Sequence, residues 1–299
     1  MTAPRRVLPG TTYLITRRCS ERRLFLRPSR VTNDIFLYVL AIAAQRYNVQ
    51  VHAFCVLSNH YHLVVTDRDA CLPAFEQYLD SLVARATNCS LGRFEGFWAA
   101  ATSYSAVVHG DSEDVIAKVA YTLANPVAAG LVHDAAEWPG LWSSPEQIGS
   151  AKLHAIRPKL FFREHGYMPA TAELELTPPP GFASAVDFRE RLSAELGRLE
   201  KKIRRERASE GRGFLGRAKV LAQKPSARPA SGEPRFNLNP CVAATDKWKR
   251  IEAIARLTDF LREYRAAWIA MRAGMTGVLF PKGTYHLRVM HAVPCAEAV

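Results

Sequence analysis

No part of this chain is apolar for long. The longest uninterrupted apolar run, Ile35 to Ala44, has ten residues, about half of what a bilayer-spanning helix needs. No transmembrane segment and no membrane partner are therefore expected. Residues Met1 to Gly10 carry Arg5 and Arg6 but have no apolar stretch behind them and no small-residue cleavage site, so no secretory leader is read. Cysteine is sparse: Cys19, Cys55, Cys71, Cys89, Cys241 and Cys295 are scattered and form no CxxC pair. That spacing excludes a zinc ribbon and a dense disulfide scaffold, and reads as reduced thiols in a cytoplasm. A GxxxxGK[ST] phosphate loop is missing as well, so the chemistry sought is not nucleotide-driven. Acidic groups are in short supply, 28 Asp and Glu against 40 Lys and Arg, for a net charge of +12. Such an excess points to a polyanionic partner, nucleic acid ahead of an anionic membrane surface.

What is present is an ordinary globular chain of 299 residues, 48% hydrophobic and 23% charged, long enough for about two domains with cores of their own. Pro9-Gly10 is a turn signal, and Thr11 to Arg18 is β-rich. Thr32, Asn33 and Asp34 offer capping oxygens to a largely apolar helix that begins near Ile35. Val49 to Leu57 and His60 to Thr66 read as the two strands of a hairpin turned by Ser58-Asn59. Leu72, Phe75, Leu79 and Leu82 recur at helical spacing with Pro73 suited to the first turn, which gives a helix over 72–88.

A strand over Phe97 to Val108 follows, and then a helix capped by Asp111 or Ser112 that Pro126 should end near Asn125. The order βαββαβα predicts an α+β fold: a ferredoxin-like antiparallel sheet with helices on one face. Beyond residue 150 the texture changes to a mainly helical C-terminal extension. It divides into a basic helical region over 151–222, a Pro- and Ser-rich linker over 223–245, and a helical segment over 246–299 with no chemical signature.

Candidate chemistry starts at His60 and His62. At i and i+2 of a strand their side chains share one face, while Tyr61, Leu63 and Val65 take the other. Alone, an H-x-H pair reads more readily as two surface histidines. Tyr121 and Asn125, at i and i+4 of the later helix, also share a face, and Tyr121 lies about 200° round the helix from the apolar Val119. Taken singly, they read as a tyrosine at a helix edge and an Asn serving the helix end.

Together the blocks VHAFCVLSNHYHLVV, YTLANPVAAGLV and WPGLWSS resemble the REP-associated tyrosine transposases of the HUH single-strand nuclease superfamily, over about the first 145 residues. The resemblance implies that residues 1–150 form the catalytic domain. It implies His60 and His62 as a metal-binding pair, Asn125 as the third ligand and Tyr121 as the nucleophile. Two positions depart from the family pattern: Ser58 stands where Pro is frequent, at a turn, and Leu123 stands where His is common.

The implied activity is that of a metal-dependent single-strand DNA endonuclease and strand transferase acting on hairpin-forming repeats through a 5′-phosphotyrosine. Two imidazoles and an amide oxygen suit Mg²⁺ or Mn²⁺, with positions left for water and phosphate. A phenol ionises near pH ~10, so Tyr121 needs a cation, either the metal or Lys118 one turn earlier. Single-stranded or hairpin DNA is the expected partner. Its phosphates are sought by Arg17, Arg18, Arg22 and Arg23 after the first strand, and by Lys201, Lys202, Arg204, Arg205 and Arg207 in the basic helix, where interleaved glutamates also fit a solvated face. Competing readings are a rolling-circle replication initiator or relaxase, which lacks its ATPase region here, and a non-catalytic nucleic-acid-binding module on the same scaffold. The C-terminal extension favours a monomer over a homodimer.

Overall fold

The computed structural model describes residues 4–99, 104–109, 112–229, 242–244 and 246–297. In chain order its elements are β1 (Thr11–Arg18), α1 (Arg30–Arg46), β2 (Val49–Leu57), β3 (His60–Asp67), α2 (Leu72–Ser90), β4 (Ser105–His109), α3 (Ser112–Ala128), β5 (Lys152–Ile156), β6 (Thr171–Glu175), α4 (Ala185–Ser209), α5 (Arg217–Ala222), β7 (Val242–Ala243), α6 (Lys247–Arg272) and α7 (His286–His291). The main sheet runs β2-β3-β1-β4-β7. Its first four strands pair antiparallel, in the order of a ferredoxin-like unit, and β7 adds a short parallel edge.

Strand alternation sorts the rest of the domain. Tyr61 of β3 meets Phe36 of α1 edge-on at 5.2 Å, and its hydroxyl reaches Glu76 and Asp80 of α2. The two helices of the βαββαβ unit therefore share one face. His62, the next residue, faces Tyr121 of α3, so α3 lies across the opposite face. A second, smaller core forms on that side from Cys55, Leu57, Val132, Trp138 and Val220. Tyr61, Phe36, Phe54 and Phe75 are fully buried in the main core.

Several boundaries move from where the sequence places them, each for a local reason. α1 starts at Arg30 because Ser29 is the capping residue, its hydroxyl accepting from the Thr32 backbone N–H at 3.1 Å. Phe97 and Trp98 do not extend β4: Trp98 bridges to Cys19 and sits against the core, so only Ser105–His109 pair as strand. Asp111 lies outside the described residues, as do Cys241 and most of the expected linker.

Pro126 stands inside α3 rather than ending it. Proline at this position deprives the Thr122 carbonyl of its helical donor, and the Asn125 side-chain amide donates there at 3.5 Å and to the Tyr121 carbonyl at 2.8 Å. α3 ends at Ala128, and Gly130, at a φ of +68°, lets Leu131 N–H return to the Pro126 carbonyl.

The region after residue 150 is not mainly helical from its start. β5 and β6 form a hairpin that packs on α1. Within the basic helical region expected over 151–222, the helix divides into α4 and α5 around Gly211, Gly213 and Gly216, the first and last at positive φ. α4 lies along α3, and the ion pairs Arg191–Glu113 and Arg204–Asp134 show that the two run parallel. α6 falls within the helical segment expected over 246–299. Among the described residues no helix is long and apolar enough to cross a membrane.

Candidate active site

His60 and His62 project from the β3 face that α3 covers, with ring centroids 4.9 Å apart. Tyr121 comes in from α3 with its ring 5.8 Å from that of His62, edge-on at 80°. The tyrosine is 45% exposed while His62 is 5% exposed, so the phenol is accessible from solvent and the imidazole is not. Lys118, one turn earlier, holds its ammonium 6.0 Å from the Tyr121 ring centre. The structure thus brings together the two histidines, the tyrosine and the lysine that the sequence singled out. Asn125 is one turn beyond Tyr121 and is 7% exposed. Its NH₂ end is held by helix carbonyls, which leaves Oδ1 as the atom with lone pairs to offer.

Neighbours fix the orientation of both imidazoles. His62 Nδ1 lies 2.8 Å from Thr16 Oγ1 on the paired strand β1. His60 Nδ1 lies 2.6 Å from Asn59 Oδ1, and the Asn59 NH₂ donates to the Arg22 carbonyl at 3.2 Å. With its NH₂ end so engaged, Asn59 presents an acceptor to His60, so Nδ1 carries the proton and Nε2 the free lone pair. His62 Nε2 is buried and has no hydrogen-bond partner among the described residues. Sequence reasoning missed both Thr16 and Asn59. Asn59 adjoins His60 and was read only as a turn residue, whereas Thr16 becomes visible once β1 is paired with β3.

Burial is the main cause that holds both imidazoles neutral. It lowers His62 to about 4, with Arg18 adding to the effect. His60 is pushed well below its ordinary range by burial, then by His62, Arg18 and Arg22. Neutral imidazole is the form that ligates a metal, and a locked Nδ1–H with an outward Nε2 is the usual arrangement of a metal-binding histidine. The buried, unpartnered Nε2 of His62 therefore fits a divalent ion. No group of three or more His, Cys, Asp or Glu that could hold a metal occurs among the described residues.

The expected phosphate contacts separate into groups. Arg18 is paired in register with His60 and shares its face of the sheet. Arg22 follows in a tight turn at φ +60°. Arg17 is placed otherwise: it points to the helical face, where its side chain is 14% exposed and pairs with Asp80 at 3.3 Å. Arg23 is held by Glu21 and the Ser226 carbonyl. On α4, Lys202 pairs with Glu206, and Arg204 with Asp134 and Glu200, while Lys201 and Arg205 are exposed. Phe97 and Tyr104 are buried and Trp98 packs against the main core.

No family model and no curated protein sequence matches this chain. Among solved structures, a REP-associated tyrosine transposase bound to a REP hairpin is similar at 19% identity and a TM-score of 0.40, over 47% of this chain and 81% of that one. A candidate transposase from Deinococcus radiodurans R1 is similar at 19% identity and a TM-score of 0.29, over 42% of this chain and 97% of that one.

Proposed function

We propose that this chain is a metal-dependent single-strand DNA endonuclease and strand transferase of the transposase type, with Tyr121 as nucleophile. The observation that carries the reading is the half-exposed phenol of Tyr121 set edge-on, at 5.8 Å, to a buried neutral histidine whose Nε2 has no partner. His60 and His62, through Nε2, and Asn125, through Oδ1, would hold Mg²⁺ or Mn²⁺. When bound, such an ion draws charge from a phosphate oxygen and makes phosphorus more electrophilic.

The residues of the chain account for the remainder. Tyr121 Oη attacks the phosphorus of a DNA phosphodiester: an Oη–P bond forms, the P–O3′ bond breaks, the phenol gives up its proton and the departing 3′ oxygen takes one up. The product is a 5′-phosphotyrosine with a free 3′-hydroxyl, and attack by a 3′-hydroxyl reverses the exchange without an external energy source. Lys118 favours the phenolate by its charge. Arg18 and Arg22 add attraction for the phosphates on either side of the attacked one.

The test incubates the full chain with labelled single-stranded DNA that folds into a hairpin, in Mn²⁺ or Mg²⁺, followed by denaturing electrophoresis. A protein–DNA adduct that disappears in Tyr121→Phe supports the reading. No adduct with any of several hairpins, or an undiminished adduct in Tyr121→Phe, refutes it.

A further inference from the structure

A second feature with ligand-binding chemistry lies past the end of the nucleophile helix. His133, Lys201, Arg204, Arg205, Ala208, Arg212 and Phe214 line a cleft of about 420 Å³, a volume within the range that holds small-molecule ligands. Residues 201, 204, 205 and 208 recur at i, i+3, i+4 and i+7, so one stripe of α4 forms a wall. The small Ala208 in that stripe leaves the room. The opposite wall is Phe214, whose ring meets His133 edge-on at 5.3 Å and carries the Arg207 guanidinium 5.0 Å from its centre. Hydrogen bonds from Leu215 and Gly216 to the Gly130 and Leu131 carbonyls seat the Phe214 loop on the turn that ends α3.

The charges at the rim are not equivalent. Arg204 is neutralised by Asp134 and Glu200, and Arg212 by Glu210. Lys201 and Arg205 make no ion pair among the described residues and are exposed one turn apart. The combination is an aromatic wall, a small-residue floor and two uncompensated cations on one side. It matches an anion carrying a flat apolar body, as an unpaired nucleotide does.

We infer that this cleft takes an unpaired nucleotide of the DNA strand, its base against Phe214 and His133 and its phosphate on Lys201 and Arg205. The inference rests on the reading of the chain as a DNA strand-processing enzyme. From Tyr121 to the end of α3 is seven residues, a rise of about 10 Å, and the cleft lies past that end. It would hold single-stranded flank rather than the paired stem.

The test measures binding of the full chain to two labelled hairpins, one blunt and one with a single-stranded flank, over a range of salt concentration. The Lys201→Gln/Arg205→Gln double variant should bind the flanked hairpin about tenfold more weakly, with its salt slope reduced by about 0.7, the value for one single-strand phosphate. Blunt-hairpin binding should change less than about twofold. Phe214→Leu, which keeps an apolar side chain for the loop, should weaken flanked binding about fivefold or more through lost stacking and leave the salt slope unchanged. Equal weakening for both hairpins, or none for either, overturns the inference. Its failure is separable from failure of the enzymatic reading: flank-selective loss without any Tyr121 adduct supports the cleft alone, whereas a Tyr121 adduct with wild-type flank binding in all variants overturns it.

Discussion

His52 offers a quantitative test of how the sheet is assembled. It sits at the irregularity between Val51 and Ala53 where β2 slips its register against β3, and it is completely buried. Its Nδ1 lies 2.8 Å from the Thr177 carbonyl, its Nε2 lies 2.7 Å from Thr66 Oγ1, and Thr66 Oγ1 lies 2.7 Å from Thr12 Oγ1. A carbonyl only accepts, so Nδ1 must donate; Nε2 then accepts from Thr66, which accepts from Thr12. The neutral ring is thus built into three strands and the segment after β6. Burial lowers the folded-state value to about 4, against the upward pull of the Thr177 hydrogen bond, whereas an unfolded histidine titrates near 6.5.

The unfolded chain therefore binds the proton first as pH falls, so the stability that His52 contributes is present above about 6.5 and is lost on the way down to about 4. A difference of about 2.5 units corresponds to about 3 kcal/mol in the acid limit, of which about 2 kcal/mol falls between pH 7 and 5. His52→Gln can still donate to Thr177 and accept from Thr66 but does not titrate. Denaturant unfolding of both proteins at pH 7, 6 and 5 should show the wild type losing about 2 kcal/mol more than the variant. His60 and His62 are common to both proteins and cancel. Parallel curves, within about 0.5 kcal/mol, would refute the buried neutral histidine.

Other expectations follow from the same geometry. His60→Ala should abolish the DNA adduct and, in metal-free buffer, leave hairpin affinity within about threefold, because the proposed phosphate contacts are arginines and lysines rather than His60; equal loss of both in gel-shift and adduct assays would assign His60 to binding. Thr16→Val removes the group that fixes His62 Nδ1, and should weaken Mn²⁺ binding, measured by calorimetry, by about 10- to 100-fold, with an unchanged Kd arguing against Nε2 ligation by His62. Glu76 is buried beside Asp80 and its carboxyl is held well above the usual range by burial first and Asp80 second. The folded state therefore retains a proton that the unfolded state loses, and stability falls as pH rises past about 4.5. Glu76→Gln should gain on the wild type in melting temperature between pH 5 and 8, and a constant gap would contradict the protonated carboxyl.

The alternation around His60, Tyr61 and His62 makes both faces of β3 legible in the sequence, and the hairpin and the two flanking helices follow from local pattern. What escaped was set by contacts distant in sequence. Pro126 reads as a helix stop because its missing N–H is a local fact; what seats the turn after it is distant, the Leu215 and Gly216 amides that donate to the Gly130 and Leu131 carbonyls. Arg17 and Arg18 look alike in the sequence, yet strand alternation sends one to Asp80 and the other to His60. The β5–β6 hairpin was missed because its strands are five residues each and mostly exposed, so they carry little apolar signal. Phe214 follows two glycines in a basic stretch, and nothing local marks it as one wall of a cleft.

The division of charge across the sheet bears on the proposed phosphate chemistry. The buried carboxylates Glu76 and Asp80 lie on the helical face with Tyr61 and Arg17. Tyr61 Oη is within hydrogen-bond distance of both, at 3.0 and 2.8 Å; a phenol has one proton to donate, so the proton retained by Glu76 completes the chain that Arg17 ends. On the other face the charges that act on His60 are all positive: Arg18, Arg22 and, when protonated, His62. A divalent ion held there by two neutral imidazoles and an amide oxygen would keep most of its charge, since no carboxylate is among the described groups that act on His60. The consequence is strong attraction for a phosphodiester and for the phenolate of Tyr121, and weak retention of the ion itself, because neutral ligands bind a hard cation less tightly than carboxylates do. DNA, whose phosphates supply the missing negative charge, would then tighten metal binding, and by reciprocity the metal would tighten DNA binding by the same factor.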